Sequence, residues 1–115
     1  MAESQATRLR RLRRRTQEIR DAIYAMGYVC PGSLHTRTKV CGKAACRCAT
    51  DENARHGPYH DWAVYADRRL THRIVTKEQA ELLAAAIKNL RELQRLTAEW
   101  SEASTDEILG LTPPG

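Results

Sequence analysis

Three cysteines fall within one short run, Cys41-Gly42-Lys43-Ala44-Ala45-Cys46-Arg47-Cys48, and a histidine, His56, follows shortly after. Thiolate sulfur and imidazole nitrogen are the ligands that Zn²⁺ prefers in a closed tetrahedral structural site. Gly42 lets the backbone fold tightly behind the first thiol. Gly57-Pro58 is expected to turn the chain away just after the histidine. Cys41, Cys46, Cys48 and His56 therefore read as a zinc knuckle, with zinc as the cofactor. Free or disulfide-bonded thiols are the plainer alternative; the softness and clustering of the donors favour the metal. Cys30, beside Pro31-Gly32, is the rival fourth ligand, although a cysteine so placed often serves as a small buried hydrophobe. An iron–sulfur cluster on Cys30, Cys41, Cys46 and Cys48 is a further alternative, because such clusters are held by thiolates.

The same residues argue against catalysis. A catalytic zinc keeps an open position, and three thiolates with a histidine leave none. The sequence has no phosphate-cradling glycine loop, no HExxH and no GxSxG elbow. His35, His60 and His72 fall singly on expected strands and read as surface or packing residues. Asp61 adjoins His60, but neighbours on a strand point to opposite faces. A non-enzymatic protein is expected.

Charge supplies the second chemical signal. The chain of 115 residues has a net charge of +5. Residues 1–27 hold seven arginines and three acids, and residues 28–75 hold eight basic and four acidic side chains, so each segment is +4. Residues 76–115 are −3. Arg8, Arg10, Arg11, Arg13, Arg14 and Arg15 lie together with no acid among them. Such a face suits phosphates, or it is a solvated helix face whose stems cover an apolar seam. Arginine near a helix N-terminus also opposes the macrodipole. The expected phosphate contacts are Arg8, Arg11, Arg14, Arg15, Arg37, Lys39, Lys43 and Arg47.

The run Gly32-Ser33-Leu34, then CGKAACRC, then HGPY, followed by a hairpin and a helix, resembles a family of short bacterial proteins of unknown function. The resemblance covers roughly residues 30 to 100. Some members lie beside mobile-element genes, which implies an accessory or regulatory role in recombination or transposition. Asp67-Arg68-Arg69 stands here where a glycine-containing turn is expected, and His60 where a second aromatic residue is commoner.

Two helices and a small sheet must position these groups. Leu9, Leu12, Thr16, Ile19, Ile23 and Met26 follow a three-four repeat, which predicts a basic helix over 5–27 that stops at Gly27. Pro31-Gly32 makes a turn. Residues 33–40 alternate as a strand with His35, Arg37 and Lys39 on one face. Tyr59–Ala66 is a second strand, with His60, Trp62, Val64 and Ala66 on one face and Tyr59, Asp61, Ala63 and Tyr65 on the other. Asp67-Arg68-Arg69 turns into a third strand, Leu70–Val75. The aromatic residues could stack on bases, but Trp62 reads as core. Thr76 and Gln79 form a capping box that starts a long helix over 77–103. Leu83, Ala86, Leu90, Leu93, Thr97 and Trp100 form its seam, and Leu82, Ile87 and Leu96 widen the apolar stripe. Glu92 and Arg95 are placed to form a surface pair. Residues 104–115 are expected to be a tail with a short helical turn.

The expected fold class is α+β, a single domain over 1–115. Two long antiparallel helices carry between them a small zinc-stapled three-stranded antiparallel sheet over 33–75. With no phenylalanine to build a large core, a metal staple is the natural supplement. The charged start and the absence of a long apolar run point to no secretory signal and no membrane association. A cytoplasmic location follows, and a reducing compartment favours metal over disulfides. The expected function is zinc-stabilised nucleic-acid binding, with DNA preferred over RNA, in a homo-oligomer. An oligomeric coiled-coil module that docks an acidic partner is the alternative. A thiol or iron–sulfur redox sensor is the remaining one.

Overall fold

The computed structural model describes residues 2–111. Its element order is α1 (Gln5–Tyr24), β1 (Ser33–Lys39), two single 3₁₀ turns (Arg47–Ala49 and Glu52–Ala54), β2 (His56–Ala66), β3 (Arg69–Val75) and α2 (Lys77–Leu111). The fold class is α+β, with two helices and one antiparallel sheet in the order β1-β2-β3. The chain divides into two compact units, and α2 contributes to both. One unit is Met1–Gly27 with Asn89–Gly115, and the other is Tyr28–Lys88. No described helix is long and apolar enough to cross a membrane.

In the first unit, α1 starts at Ser4, whose side chain accepts from the Thr7 backbone N–H. The helix ends at Tyr24, before the expected stop at Gly27. The Ala25 N–H still reaches Asp21 O, and Met26 N–H then bonds Ile23 O in a tighter turn. α1 runs antiparallel to the C-terminal part of α2. Gln5 donates to Gly110 O, Arg13 pairs with Glu107 and Arg15 with Glu99, so partners fall along α2 as they rise along α1. Leu12 and Ile19 are the buried residues of the α1 seam; Leu96 and Ala103 are buried on α2. Thr16 lies on that seam with its Oγ1 buried and without a hydrogen-bond partner. Arg20 lies over the Trp100 ring at 5.5 Å, a cation–π contact.

The expected tail from residue 104 is a correction. α2 is continuous to Leu111, so its last turns are the ones that meet Gln5, Arg8 and Arg13. At 1.5 Å per residue its length is about 52 Å, against about 30 Å for α1. The helices are therefore not matched in length. Thr112-Pro113-Pro114-Gly115 lie outside the described residues.

In the second unit, β2 is the central strand. Ser33 pairs with Ala63 and Arg37 with Tyr59 on one side; Asp61 pairs with Ile74 and Ala63 with His72 on the other. The register places His35, Arg37, Tyr59, Asp61, Ala63, Tyr65, His72 and Ile74 on one face. Leu34, Thr36, His60, Trp62, Val64, Arg73 and Val75 take the other. Trp62, Arg73 and Val75, with Gln79, Leu82 and Leu83 of α2, line a cavity of about 470 Å³. Trp62 Nε1 donates to Pro31 O at 3.0 Å. Gly32, at φ 103°, packs so closely that a Cβ there would stand 2.5 Å from Ala63 O.

The capping box forms as the sequence suggests. Gln79 N–H donates to Thr76 Oγ1 at 3.0 Å, and Thr76 N–H donates to Gln79 Oε1 at 2.9 Å. Two local readings change. The β2–β3 turn is two residues long, because Asp67 and Arg68 both adopt positive φ, 51° and 64°. That is the type I′ geometry that matches strand twist. Gly57-Pro58 does not turn the chain away; it lies inside β2, which begins at His56. The register shifts between Arg37 and Lys39, so the sheet absorbs the extra residue as a bulge. Gly57, at φ 119°, lies against the Arg37 carbonyl.

Candidate metal centre

The β1–β2 connection gathers the four ligands from successive pieces of backbone. Cys41 follows the end of β1, and Gly42, at φ 83°, reverses the chain behind it. Cys46 precedes the first 3₁₀ turn and Cys48 lies inside it. The second 3₁₀ turn is held by Asp51, whose side chain accepts from the Asn53 N–H at 3.0 Å. It delivers the chain to His56, which pairs with Lys39 across the sheet. Short hydrogen-bonded turns thus fix a loop whose apolar residues, apart from Val40, are only alanines and cysteines.

The ligand atoms of Cys41, Cys46, Cys48 and His56 all lie within 4.8 Å of one another. Cys41 Sγ is 3.5 Å from Cys48 Sγ, and Cys46 Sγ is 3.4 Å from His56 Nε2. Around a tetrahedral ion with metal–sulfur bonds of about 2.3 Å, two sulfurs stand about 3.8 Å apart. The donor set therefore fits a four-coordinate metal ion. The Cys41 N–H donates to Cys48 Sγ at 3.3 Å, a bond that stabilises a thiolate. Cys48 is 2 % exposed, whereas Cys41 and His56 lie in solvent.

The thiols perturb one another in opposite directions. Hydrogen bonds from the Cys48 backbone, then from the Cys48 and Cys41 thiols, hold Cys46 below the ordinary thiol range. At Cys48 the bond from the Cys41 backbone lowers the value. Burial and the two neighbouring thiols outweigh it and push Cys48 up. Crowded sulfurs compete for protons in this way, and a cation relieves the competition by replacing those protons.

Cys30 takes no part in the cluster. It is half-buried, and its N–H donates to Ala86 O at 3.1 Å. Lys43 and Arg47 are exposed beside the ligands, as are Arg37 and Lys39 on β1. Arg47 pairs with Asp51 at 3.3 Å. Lys39 Nζ lies 5.1 Å over the Tyr59 ring.

The arginine helix is more occupied than its sequence suggests. Arg8 pairs with Asp106 at 3.7 Å, Arg11 with Glu3 at 3.0 Å, and Arg13 with Glu107 at 2.6 Å. Arg15 Nε and Nη2 contact Glu99 at 2.5 and 2.8 Å in a fork, and Nη1 contacts Glu18 at 3.0 Å. Hydrogen bonding to Arg15 holds Glu99 below the usual carboxylate range. The acids absent from the arginine run are supplied by Glu3 and Glu18 on either side of it and by Glu99, Asp106 and Glu107 of α2. Arg14 is exposed and has no such pair among the described residues. Glu92 and Arg95 do pair, at 2.5 Å.

Sequence reasoning missed one constellation. Asp61 is buried at 1 % exposure. Its Oδ2 accepts from Arg37 Nη2 at 2.5 Å and lies 2.9 Å from His72 Nδ1. The partners come from β1 and β3, so the cluster exists through register. The available signal was an acid in mid-strand on the face that also carries Ala63. No curated protein and no solved structure matches the chain. Residues 9–85 match the model of the family described as "Domain of unknown function (DUF6788)", and the chain belongs to that family.

Proposed function

We propose that this protein is a non-enzymatic, zinc-stabilised nucleic-acid-binding protein whose contact surface is the metal-bearing unit. Zinc is the metal that suits the site: three soft thiolates, one imidazole and tetrahedral spacing. Its role is structural, because the four ligands leave no position for a substrate. Bound zinc would hold the loop from Cys41 to His56 in place and couple its folding to the metal.

The observation that carries the nucleic-acid reading is where net positive charge remains. Residues 89–115 bring five acids and two arginines to the unit that contains α1. Residues 28–88 keep ten basic side chains against six acids, a net of +4. Lys39 and Lys43 lead from β1 into the metal loop with no ion pair among the described residues. Arg37 and Arg47, paired with Asp61 and Asp51, lie along the same path and are 52 % and 84 % exposed. On α1, Arg8, Arg11 and Arg15 would have to leave carboxylates of their own chain to reach a phosphate; Arg14 would not. An accessory role at a mobile element, which the resemblance implies, would use this surface.

The test is a salt titration of binding to generic duplex and single-stranded DNA and RNA. Counterion release makes the affinity fall with a slope of about 0.9 per phosphate contacted on duplex DNA. Changing Lys39, Lys43 and Arg47 to Gln together should weaken all sequences alike and flatten that slope by about 2 to 3. No binding to any of these at low salt would remove the reading. Self-association is a second reading, favoured by the exposed Ile108, Leu109 and Leu111 near the end of α2. A stable monomer at micromolar concentration in a sedimentation run would remove it.

A further inference from the structure

One face of the sheet carries a cluster that the metal centre does not use. Asp61 sits in the middle of β2, buried, while His35, Arg37, Tyr65, Leu70, His72 and Ile74 on the same face are exposed. A carboxylate out of water is strongly unfavourable unless it is paired. Here Oδ2 is paired twice, and Oδ1 is buried without a partner. A small apolar residue such as the adjacent Ala63 would fill the position without that penalty. The acid is explained by what it holds. Arg37 reaches it with one Nη, and the rest of that guanidinium is left available; the side chain is 52 % exposed. His72 reaches it with Nδ1, so Nε2 on the far side of the ring is left for an outside partner; that side chain is 49 % exposed. Arg37 is thus a fixed donor, and His72 is a second one when its imidazole is protonated, because both ring nitrogens then carry hydrogen. The two come from different strands, share one buried anchor and open toward solvent. Preorganised donors of this kind suit a tetrahedral oxyanion.

We propose that Arg37 and His72, positioned by Asp61, form a phosphate subsite for single-stranded nucleic acid on this sheet face, with Tyr65 as its stacking surface. The assignment rests on the nucleic-acid reading above and places one contact within it. Tyr65 is 71 % exposed and lies on the same face, two residues beyond Ala63. An aromatic ring stacks on bases whose faces are free, which a duplex does not offer. Tyr59 closes the other end, about 20 Å along β2 at about 3.4 Å per residue. One side of its ring is already met by Lys39, so Tyr59 adds charge there through its lysine.

The experiment uses the metal-loaded full chain and fluorescence anisotropy with three ten-unit probes: labelled oligo(dT), oligo(U) and a duplex, each over a range of salt. Arg37→Gln should weaken single-strand binding about tenfold and lower the salt slope by about 0.7, the signature of one lost phosphate contact on a single strand. His72→Gln should weaken single strands several-fold. Tyr65→Ala should weaken them about tenfold without changing the slope, and should leave the duplex nearly unaffected. Asp61→Asn should reproduce the Arg37 and His72 losses together. If that variant does not fold, the exposed Arg37 and His72 variants decide the matter, their folding checked by circular dichroism. Single-strand affinity and slope unchanged in both would overturn the subsite and leave the general reading intact. Equal losses from Tyr65→Ala on duplex and single strand would overturn the stacking role. If none of the three probes binds, the general reading fails, and inorganic phosphate then decides the subsite alone. A phosphate-induced shift of the His72 imidazole resonances that disappears in Arg37→Gln would support it; no shift would overturn it.

Discussion

Replacing Thr16 by valine should stabilise the helical unit. Thr16 occupies the α1 seam between Leu12 and Ile19, which are 6 % and 0 % exposed. Its Oγ1 is buried and unpartnered. A buried hydroxyl without a hydrogen bond costs about 1–3 kcal/mol by mutational measures. Valine replaces that oxygen with a methyl group of nearly the same shape, in the same β-branched frame, so no cavity opens. Burying the methyl contributes up to about 0.8 kcal/mol more. Because the denatured chain also buries some surface, a net gain of about 1–2 kcal/mol is the reasonable expectation. The assay is urea unfolding of the metal-loaded protein, in which the midpoint should rise with an unchanged slope. Thr16→Ser, which keeps the hydroxyl, should show no gain. A Thr16→Val protein less stable than the parent would refute the reasoning, since the hydroxyl would then have a partner whose loss is felt.

Arg68→Gly should stabilise the hairpin by up to about 1 kcal/mol, because glycine carries no penalty at φ 64°; a lower melting temperature would contradict it. Gly57→Ala should destabilise by about 2 kcal/mol or more and weaken metal binding through His56, since a Cβ there would stand 2.9 Å from Tyr59 N at φ 119°; metal competition assays check this. The Arg15–Glu99 fork should make stability acid-sensitive. Glu99 is held below its ordinary value, so its contribution is complete above the unfolded carboxylate range and is lost as pH falls through the lowered value. Glu99→Gln should remove that part of the acid-side slope in unfolding curves measured between neutral pH and pH 3.

Local chemistry was legible in the sequence. The Thr76–Gln79 box needs four residues, and both of its hydrogen bonds are present. The spacing of Cys41, Cys46, Cys48 and His56 implied a common centre, and the four come within reach of one ion. The three-four repeat of α1 placed Leu12 and Ile19 correctly on the buried side. What failed depended on partners distant in sequence. The arginines of α1 seemed unopposed, because Glu99 and Glu107 lie more than eighty residues away. Asp61 finds Arg37 and His72 only once the register of three strands is set. Gly57-Pro58 reads as a break in isolation, yet a bulge against β1 accommodates it within β2. The end of α2 was placed too early because Ser104 and Thr105 weaken the apolar period. Ala103 is buried nonetheless, and acids beyond it pair with α1, so the helix continues.

The central claim is that one metal ion, bound by three cysteines and one histidine, holds the loop between β1 and β2. Elemental analysis of the purified chain, beside the Cys48→Ser, His56→Ala and Cys30→Ser variants, tests it most directly. One zinc per chain is expected in the parent and in Cys30→Ser, with loss in Cys48→Ser and a marked reduction in His56→Ala. A parent protein without bound metal, or a Cys30→Ser variant that loses zinc while His56→Ala retains it, would contradict the assigned centre.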